Sequence, residues 1–122
     1  MPQGTFIYSG SDSLDLVGWY GENDSSHTQP VGLKKANGLD LYDMSGNGWE
    51  WCWDSYSADY YKNAPQENPR GPEKGSRVLR GGSWSYSTFN LRLSSRNWDD
   101  PYLRGYYYGF RLSQGAPSNG ND

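Results

Sequence analysis

Residues 41–53 read Leu-Tyr-Asp-Met-Ser-Gly-Asn-Gly-Trp-Glu-Trp-Cys-Trp, and we expect the fold to be built around them. Trp49, Trp51 and Trp53 occupy alternate positions, which predicts a β-strand with its three indoles on one packed face. Ile occurs once and Val three times in the chain, against 6 Trp and 11 Tyr. The core is therefore expected to consist largely of aromatic residues, each of which buries a large area.

The glycine-rich loop before this strand lies between two acidic residues, Asp43 and Glu50. Such a loop can direct backbone carbonyl oxygens and two carboxylates to one point, as a hard cation such as calcium requires. Alternatively, Asp43 caps a turn and Glu50 pairs with an arginine such as Arg111. The residues alone leave both interpretations open.

Composition limits the chain to one domain and excludes several classes of function. The chain has 122 residues, a net charge of −3 and a pI of about 5.0, which give no electrostatic basis for nucleic-acid binding. It contains no apolar run long enough to span a membrane, and no signal peptide is visible. With one cysteine, Cys52, and one histidine, His27, it has no internal disulfide or structural zinc site. We expect Cys52 to be a small buried side chain.

Four further elements are expected around the central strand. They are a first strand at residues 5–8, a helix at 14–20 capped by Ser13 or Asp12, a strand at 77–83 and a last strand at 109–113 with Phe110 inward. Residues 54–76 are polar and rich in proline, which predicts a long surface loop. The domain is expected to span residues 1–113, followed by a disordered polar tail at 114–122.

Four motifs resemble the formylglycine-generating enzyme (sulfatase-modifying factor) family. They are Leu-Tyr-Asp-Met-Ser-Gly-Asn-x-Trp-Glu-Trp at 41–51, Gln-Pro-Val-Gly at 29–32 with Ala-Asn at 36–37, Arg-Val-Leu-Arg-Gly-Gly-Ser-Trp at 77–84, and Tyr-Gly-Phe-Arg-Leu at 108–112. The resemblance runs from about Phe6 to Leu112. It implies an α+β fold of the C-type-lectin-like class, with a small twisted antiparallel sheet and much irregular structure.

The resemblance also implies a structural calcium site in the central motif. Carried over position by position, its ligands are the side chains of Asp43 and Glu50 and the backbone oxygens of Gly46 and Gly48. Asp40 and Gly48 stand where the family more often has Gly and Val. Both departures are expected to reduce stability.

The family's named activity is not expected here. It oxidises a substrate cysteine with a copper-binding cysteine pair placed shortly after the Gly-Gly-Ser motif, whereas residues 83–92 contain no cysteine. Without thiolates there is neither a copper(I) site nor thiol chemistry, so the sequence predicts a protein that is not an enzyme. The chain is also expected to lack the family's N-terminal part, which would leave sheet edges available for self-association.

Residues 85–108 are rich in Tyr, Ser, Asn and Asp, the composition of an antibody-like binding surface. The segment resembles the diversified region of the variable proteins of diversity-generating retroelements, which occur in phages and bacteria. Arg92, Arg96, Pro101 and Arg104 match the family framework, whereas Trp98 does not fit adenine-directed change of an Asn codon. The predicted ligand-binding residues are Tyr86, Phe89, Asn90, Asn97, Trp98, Asp99, Asp100, Tyr102, Tyr106 and Tyr107.

Three alternatives remain for this segment. Its aromatics can be core residues, a reading that applies best to Tyr106, Tyr107 and Tyr108, because one of three consecutive strand residues should point inward. The chain can also be a fixed accessory or degenerate domain of the enzyme family. Sugar binding is suggested by Trp98-Asp99-Asp100, but the partner triplet of sugar-binding C-type lectins is missing. The expected ligand is a protein or a cell-surface molecule, and a variable protein would act at a cell surface or on a phage particle.

Overall fold

A small four-stranded sheet organises residues 5–85 and 88–115, the part of the chain that the computed structural model describes. The elements are helix α1 (Leu14–Val17), strands β1 (Trp49–Ser55), β2 (Arg77–Arg80), β3 (Arg96–Asp99) and β4 (Tyr108–Gly109), and two 3₁₀ helices, Tyr60–Lys62 and Thr88–Leu91. The strand order is β3-β2-β1-β4. Most of the other described residues are irregular, as the glycine and proline content predicts.

The sheet is mixed, which corrects the prediction that it is antiparallel. β1 pairs antiparallel with β2, and β2 with β3, but β4 runs parallel to β1, with Trp49 opposite Tyr108. The chain enters β4 through a backbone hydrogen bond of 2.7 Å from Trp49 N–H to the Tyr107 carbonyl. β4 has two residues rather than the expected 109–113. Phe110, predicted to point inward, lies beyond the end of β4 and is 72% exposed, whereas the half-buried Tyr108 packs on Trp51.

A compact cluster of buried residues packs beside the sheet. Leu14, Val17, Tyr20 and Leu91 form this cluster, with Tyr8 against it. Helix α1 ends at Val17, three residues before the predicted end, and Gly18 N–H donates to the Leu14 carbonyl at 2.8 Å. A Cβ at position 18 would lie 2.4 Å from the Ser45 carbonyl oxygen, so the glycine lets the central motif approach the helix end.

Two other predictions about the first 20 residues are wrong. Ser13 occupies the N-cap position, but its side chain makes no capping hydrogen bond. Residues 5–8 form no strand; Tyr8 makes a single bridge with Ser11, because the chain turns back at Gly10 (φ 99°) instead of extending along a neighbour.

The predicted loop at 54–76 has Tyr60–Lys62 as its only helix, after β1 ends at Ser55.

The three tryptophans of β1 differ in burial, so the predicted packed face is only partly correct. Trp49 is 1% exposed, Trp51 is half-buried and Trp53 is 84% exposed. β4 pairs only with Trp49 and Glu50, and the register with β2 shifts between Trp51 and Ser55. The far end of β1 therefore extends past the strand that covers its beginning.

Candidate ligand-binding surface

The segment after β2 is anchored to the body of the protein at separate points. It leaves through Gly82, whose φ is 72° and where a Cβ would lie 2.7 Å from the Leu91 side chain. Ser83 and Leu91 are both 0% exposed. The segment then adds β3 to the sheet and returns to β1 through β4. Its backbone position is thus set by a few buried residues and by strand pairing.

A row of packed rings supports the end of this segment. We define the aromatic row as Trp84, Tyr107, Tyr108 and Trp51, with ring centroids 5.3, 6.5 and 5.3 Å apart in that order. The indole N–H of Trp84 also donates to the Tyr106 carbonyl at 3.0 Å. The row joins two rings of the segment to two rings of the scaffold. Among the three consecutive tyrosines, Tyr108 is the half-buried one.

Several predicted ligand-binding residues are exposed, as expected. The exposed fractions are 90% for Tyr102, 86% for Tyr106, 64% for Phe89, 48% for Trp98 and 38% for Tyr107. Asn90 and Asn97 are half-buried. Tyr86 lies outside the described residues. Exposure shows that these side chains are available, and their role in binding stays a prediction.

The polar members of the predicted set hold the local backbone. Asn97, Asp99 and Asp100 each accept a backbone N–H through their side-chain oxygen, from Trp98, Asp100 and Tyr102 respectively, all at 2.9 Å. The second oxygen of Asp99 accepts the Tyr108 hydroxyl at 2.6 Å. The bond from Tyr102 N–H to the Asp100 side chain two residues earlier has the spacing of an Asx turn, which fixes the backbone locally.

The predicted residues lie on both faces of the sheet. Asp99 contacts Tyr108 on the face of the aromatic row, whereas Trp98, one position earlier in β3, stacks on Tyr56 with ring centroids 4.1 Å apart. Alternation along a strand accounts for the separation. Tyr56 and the exposed Trp53 and Tyr61 were missed because they lie outside the segment of unusual composition. Their aromatic character in polar surroundings was the available signal.

Glu50 of the central motif forms an ion pair with Arg111. Arg111 donates to both carboxylate oxygens of Glu50, at 2.7 and 2.6 Å, and its Nη2 also donates to the carbonyls of Tyr42 (3.0 Å) and Asp43 (3.1 Å). The hydrogen bond with Glu50 raises the pKa of Arg111, against the opposing effect of burial. The pairing of Glu50 with Arg111, one of the two interpretations of the motif, is therefore present.

The predicted calcium ligands fit a cation only in part. Asp43 is 7% exposed; its Oδ2 accepts Gly32 N–H at 2.8 Å, and its buried Oδ1 has no hydrogen-bond partner among the described residues. An orphaned carboxylate oxygen is what a cation would satisfy. Both Glu50 oxygens, however, are engaged by Arg111, so this set does not fit calcium while the guanidinium is in place. Calcium binding by Asp43, Gly46, Gly48 and Glu50 stays a prediction.

Cys52 lies in β1, away from residues 83–92. It is half-buried rather than fully buried, and burial raises the pKa of its thiol, against the opposing effect of the nearby Arg80 charge. A thiol in this environment is less ionised than a free cysteine and is correspondingly less nucleophilic.

Within residues 5–85 and 88–115, no helix has the length and apolar character needed to cross a membrane.

Comparison with known proteins identifies related sequences. The profile of the sulfatase-modifying factor enzyme 1-like domain matches residues 8–116. Serine/threonine-protein kinase pkn1 of Chlamydia caviae is 45% identical over 95 residues, which cover 75% of this chain and 15% of the kinase. Formylglycine-generating enzyme of Thermomonospora curvata is 39% identical over 101 residues, covering 76% of this chain and 33% of the enzyme.

Among solved structures, variable protein 1 of Treponema denticola superposes with a TM-score of 0.76 at 36% identity, covering 88% of this chain and 41% of that one. This likeness confirms the α+β, C-type-lectin-like fold class, apart from the parallel pairing of β4. The chain spans less than half the length of each of these three relatives.

Proposed function

This chain belongs to the sulfatase-modifying factor enzyme 1-like domain family, and we propose that it is a non-catalytic ligand-binding domain of that family. The observation that carries the proposal is the combination of exposed Tyr102, Tyr106 and Trp98 with a backbone held by other residues. This is the arrangement that a retroelement-diversified variable protein needs. The likeness to a Treponema variable protein supports the same conclusion.

The chemistry of the segment supports a role without catalysis. Residues 83–92 hold no cysteine, and Cys52 lies on a different element with a raised pKa. Relatives with enzymatic names share the domain, but activity depends on the residues of the site rather than on the fold. Residues 85–90 are Ser, Tyr, Ser, Thr, Phe and Asn, none of which supplies a thiol.

The physics of the surface favours a protein or another cell-surface molecule as ligand. Exposed Tyr and Trp side chains offer a large contact area at low entropic cost and are common hot spots of protein interfaces. Phe89, 64% exposed, adds an apolar contact, with the Arg92 guanidinium 3.8 Å from its ring centroid. A domain of this kind acts at a cell surface or on a phage particle, and self-association through its sheet edges remains a prediction.

Sequencing the locus across related isolates tests the proposal, together with a search of the neighbouring DNA for a near-copy repeat and a reverse transcriptase. We expect variation confined to codons 85–108 at adenine positions, with Leu91, Arg92 and Arg96 unchanged. An invariant segment without such a neighbour would overturn the proposal that the binding surface is diversified. It would favour the second candidate, a fixed accessory domain of the enzyme family, which the shared domain itself suggests.

A further inference from the structure

Three charged side chains form one row across the sheet. Glu50 of β1 lies opposite Arg80 of β2, and Arg80 lies opposite Arg96 of β3. Directly opposed residues of antiparallel strands project from the same face, with Cβ atoms about 4.5–5.5 Å apart. An acid beside two bases in such a row would normally neutralise part of their charge.

In this protein the acidic side chain of the row, Glu50, pairs with a different arginine, Arg111. Both oxygens of Glu50 accept hydrogen bonds from Arg111, so Glu50 forms no ion pair with its cross-strand neighbour Arg80. Arg80 donates to the carbonyl of Ser95 at 2.8 Å and more weakly to that of Leu93 at 3.4 Å. Arg96 donates to the carbonyl of Ser57 at 3.2 Å. All of these acceptors are neutral.

The two arginines are therefore opposed like charges, and neither Glu50 nor Asp54, the carboxylates nearby, forms an ion pair with them. Among the described residues, the ion pairs within 4.0 Å are Lys62 with Asp59 and Arg111 with Glu50, and neither involves Arg80 or Arg96. Like charges placed directly opposite each other destabilise a sheet. Each guanidinium has five N–H donors, so both retain donors beyond those used on carbonyls. A bound anion would relieve the repulsion and use these donors.

A cavity of about 160 Å³ lies where such an anion would bind. Arg80 and Arg96 line it together with Tyr60, Tyr61 and Asp54. The Arg96 guanidinium lies 4.5 Å from the Tyr61 ring centroid and 4.7 Å from that of Tyr56, which in turn stacks on the exposed Trp98. These rings hold Arg96 in place and connect the cavity to a residue of the predicted binding surface.

We propose that this cavity binds a single carboxylate, the side chain of an Asp or Glu on a protein ligand whose surface contacts Trp98. The inference rests on the proposed binding function and specifies one feature of its ligand. Guanidinium groups match the planar geometry of a carboxylate and bind it with charge-assisted hydrogen bonds. Asp54 lines the same cavity and repels a dianion such as phosphate more strongly than a monoanion. The volume holds a short acidic side chain but not a nucleotide.

Titration of the ¹⁵N-labelled protein with N-acetylglutamate amide, a probe with one carboxylate, tests the proposal. We expect the Nε–Hε resonances of Arg80 and Arg96 to shift saturably, while that of the exposed Arg104 does not. N-acetylglutamine amide, which has the same shape without the charge, should give no saturable shift. Inorganic phosphate should bind more weakly than the carboxylate at equal ionic strength.

Variants separate the two arginines from the rest of the protein. Arg96→Gln should abolish the saturable shift of Arg80, and the matched control Arg104→Gln should leave it unchanged. Asp54→Asn should tighten carboxylate binding several-fold, because it removes the repulsive charge. If Arg96→Gln does not fold, the titration of the unaltered protein still decides.

Several results would overturn the carboxylate site: no saturable shift, an equal response to the neutral amide, or tighter binding of phosphate. None of them would affect the proposed binding function, which is tested independently by the pattern of variation at the locus. Conversely, a saturable carboxylate shift together with an invariant locus would place the same site in a fixed domain and overturn only the diversified function.

Discussion

At the scale of single residues, Trp49 and Trp53 share a strand and a face but differ in their surroundings. Trp49 is 1% exposed and Trp53 is 84% exposed. Trp49→Ala should lower the free energy of unfolding by about 3–5 kcal/mol, the cost of emptying a buried aromatic position. Trp53→Ala should lower it by less than about 1 kcal/mol, because it loses little beyond the contact with the Arg77 guanidinium. Urea unfolding of both variants measures the difference, and equal losses would contradict this assignment of the core.

Cys52 allows a second prediction about a single residue. Because burial raises the pKa of its thiol, the folded protein has a smaller thiolate fraction than an unfolded chain at any given pH. The midpoint of the pH dependence of alkylation by iodoacetamide should therefore lie above about pH 8.5, the ordinary pKa of a cysteine. The protein unfolded in urea is the control and should show the ordinary midpoint. A midpoint in the folded protein at or below that of the unfolded protein would refute the raised pKa.

At the scale of elements, Arg111 joins the chain after β4 to the motif loop before β1. Its side chain is 35% exposed and that of Glu50 is 23% exposed, so solvent screening reduces the strength of the pair. Arg111→Gln should lower the free energy of unfolding by about 1–2 kcal/mol through the loss of charge-assisted hydrogen bonds. Urea unfolding gives the measurement. Arg104→Gln, at an exposed position, is the matched control and should have almost no effect.

The predicted calcium ligands lie in the motif loop before β1 and at Glu50 in β1, so substitutions there test the calcium prediction. If calcium stabilises this loop, Asp43→Ala and Glu50→Ala should each lower the melting temperature more when calcium is supplied than without it, because both variants also lose hydrogen bonds that do not involve a metal. Equal losses with and without calcium would instead leave Arg111 as the cation that closes the loop. The orphaned Asp43 Oδ1 favours the first outcome, and the engagement of both Glu50 oxygens favours the second.

The elements that the sequence predicted correctly are those with a strong local pattern. Alternating tryptophans marked β1, and the resemblance of the surrounding motifs indicated the fold class. The predicted ends of the helix and of the last strand are wrong, because tertiary contacts override local sequence preference there. Helix α1 stops at Val17 because Gly18 lies against Ser45, and β4 stops at Gly109. The parallel direction of β4 depends on the path of the chain through space, which periodicity does not record.

At the scale of the whole molecule, composition identified the segment that displays aromatic side chains but not how they are distributed. The composition placed Trp98 and Asp99 together in one predicted binding surface, whereas alternation along β3 places them on opposite faces of the sheet. The row of Glu50, Arg80 and Arg96 could not be predicted from the sequence either, since three strands far apart in sequence bring these residues together. Predicting it would require the register between the strands.

If the scaffold holds the segment independently of its displayed side chains, substitutions should divide sharply between neighbouring positions. The double variant Tyr102→Ser, Tyr106→Ser should change the free energy of unfolding by no more than about 0.5 kcal/mol per site, because both side chains are almost fully exposed. Tyr108→Ser should cost about 2–3 kcal/mol, since it empties a half-buried place in the aromatic row and removes the hydrogen bond to Asp99. Trp98→Ala should fall between them, at about 1 kcal/mol, through loss of the stack on Tyr56.

Urea unfolding followed by circular dichroism gives all three values, and Tyr106 and Tyr108 serve as matched positions in one short stretch. A large loss in the double variant would make Tyr102 and Tyr106 part of the core and would remove the separation between scaffold and displayed residues. A small loss at Tyr108 would show instead that the aromatic row does not support the segment. A separation between scaffold and displayed residues requires the first loss to be small and the second to be large.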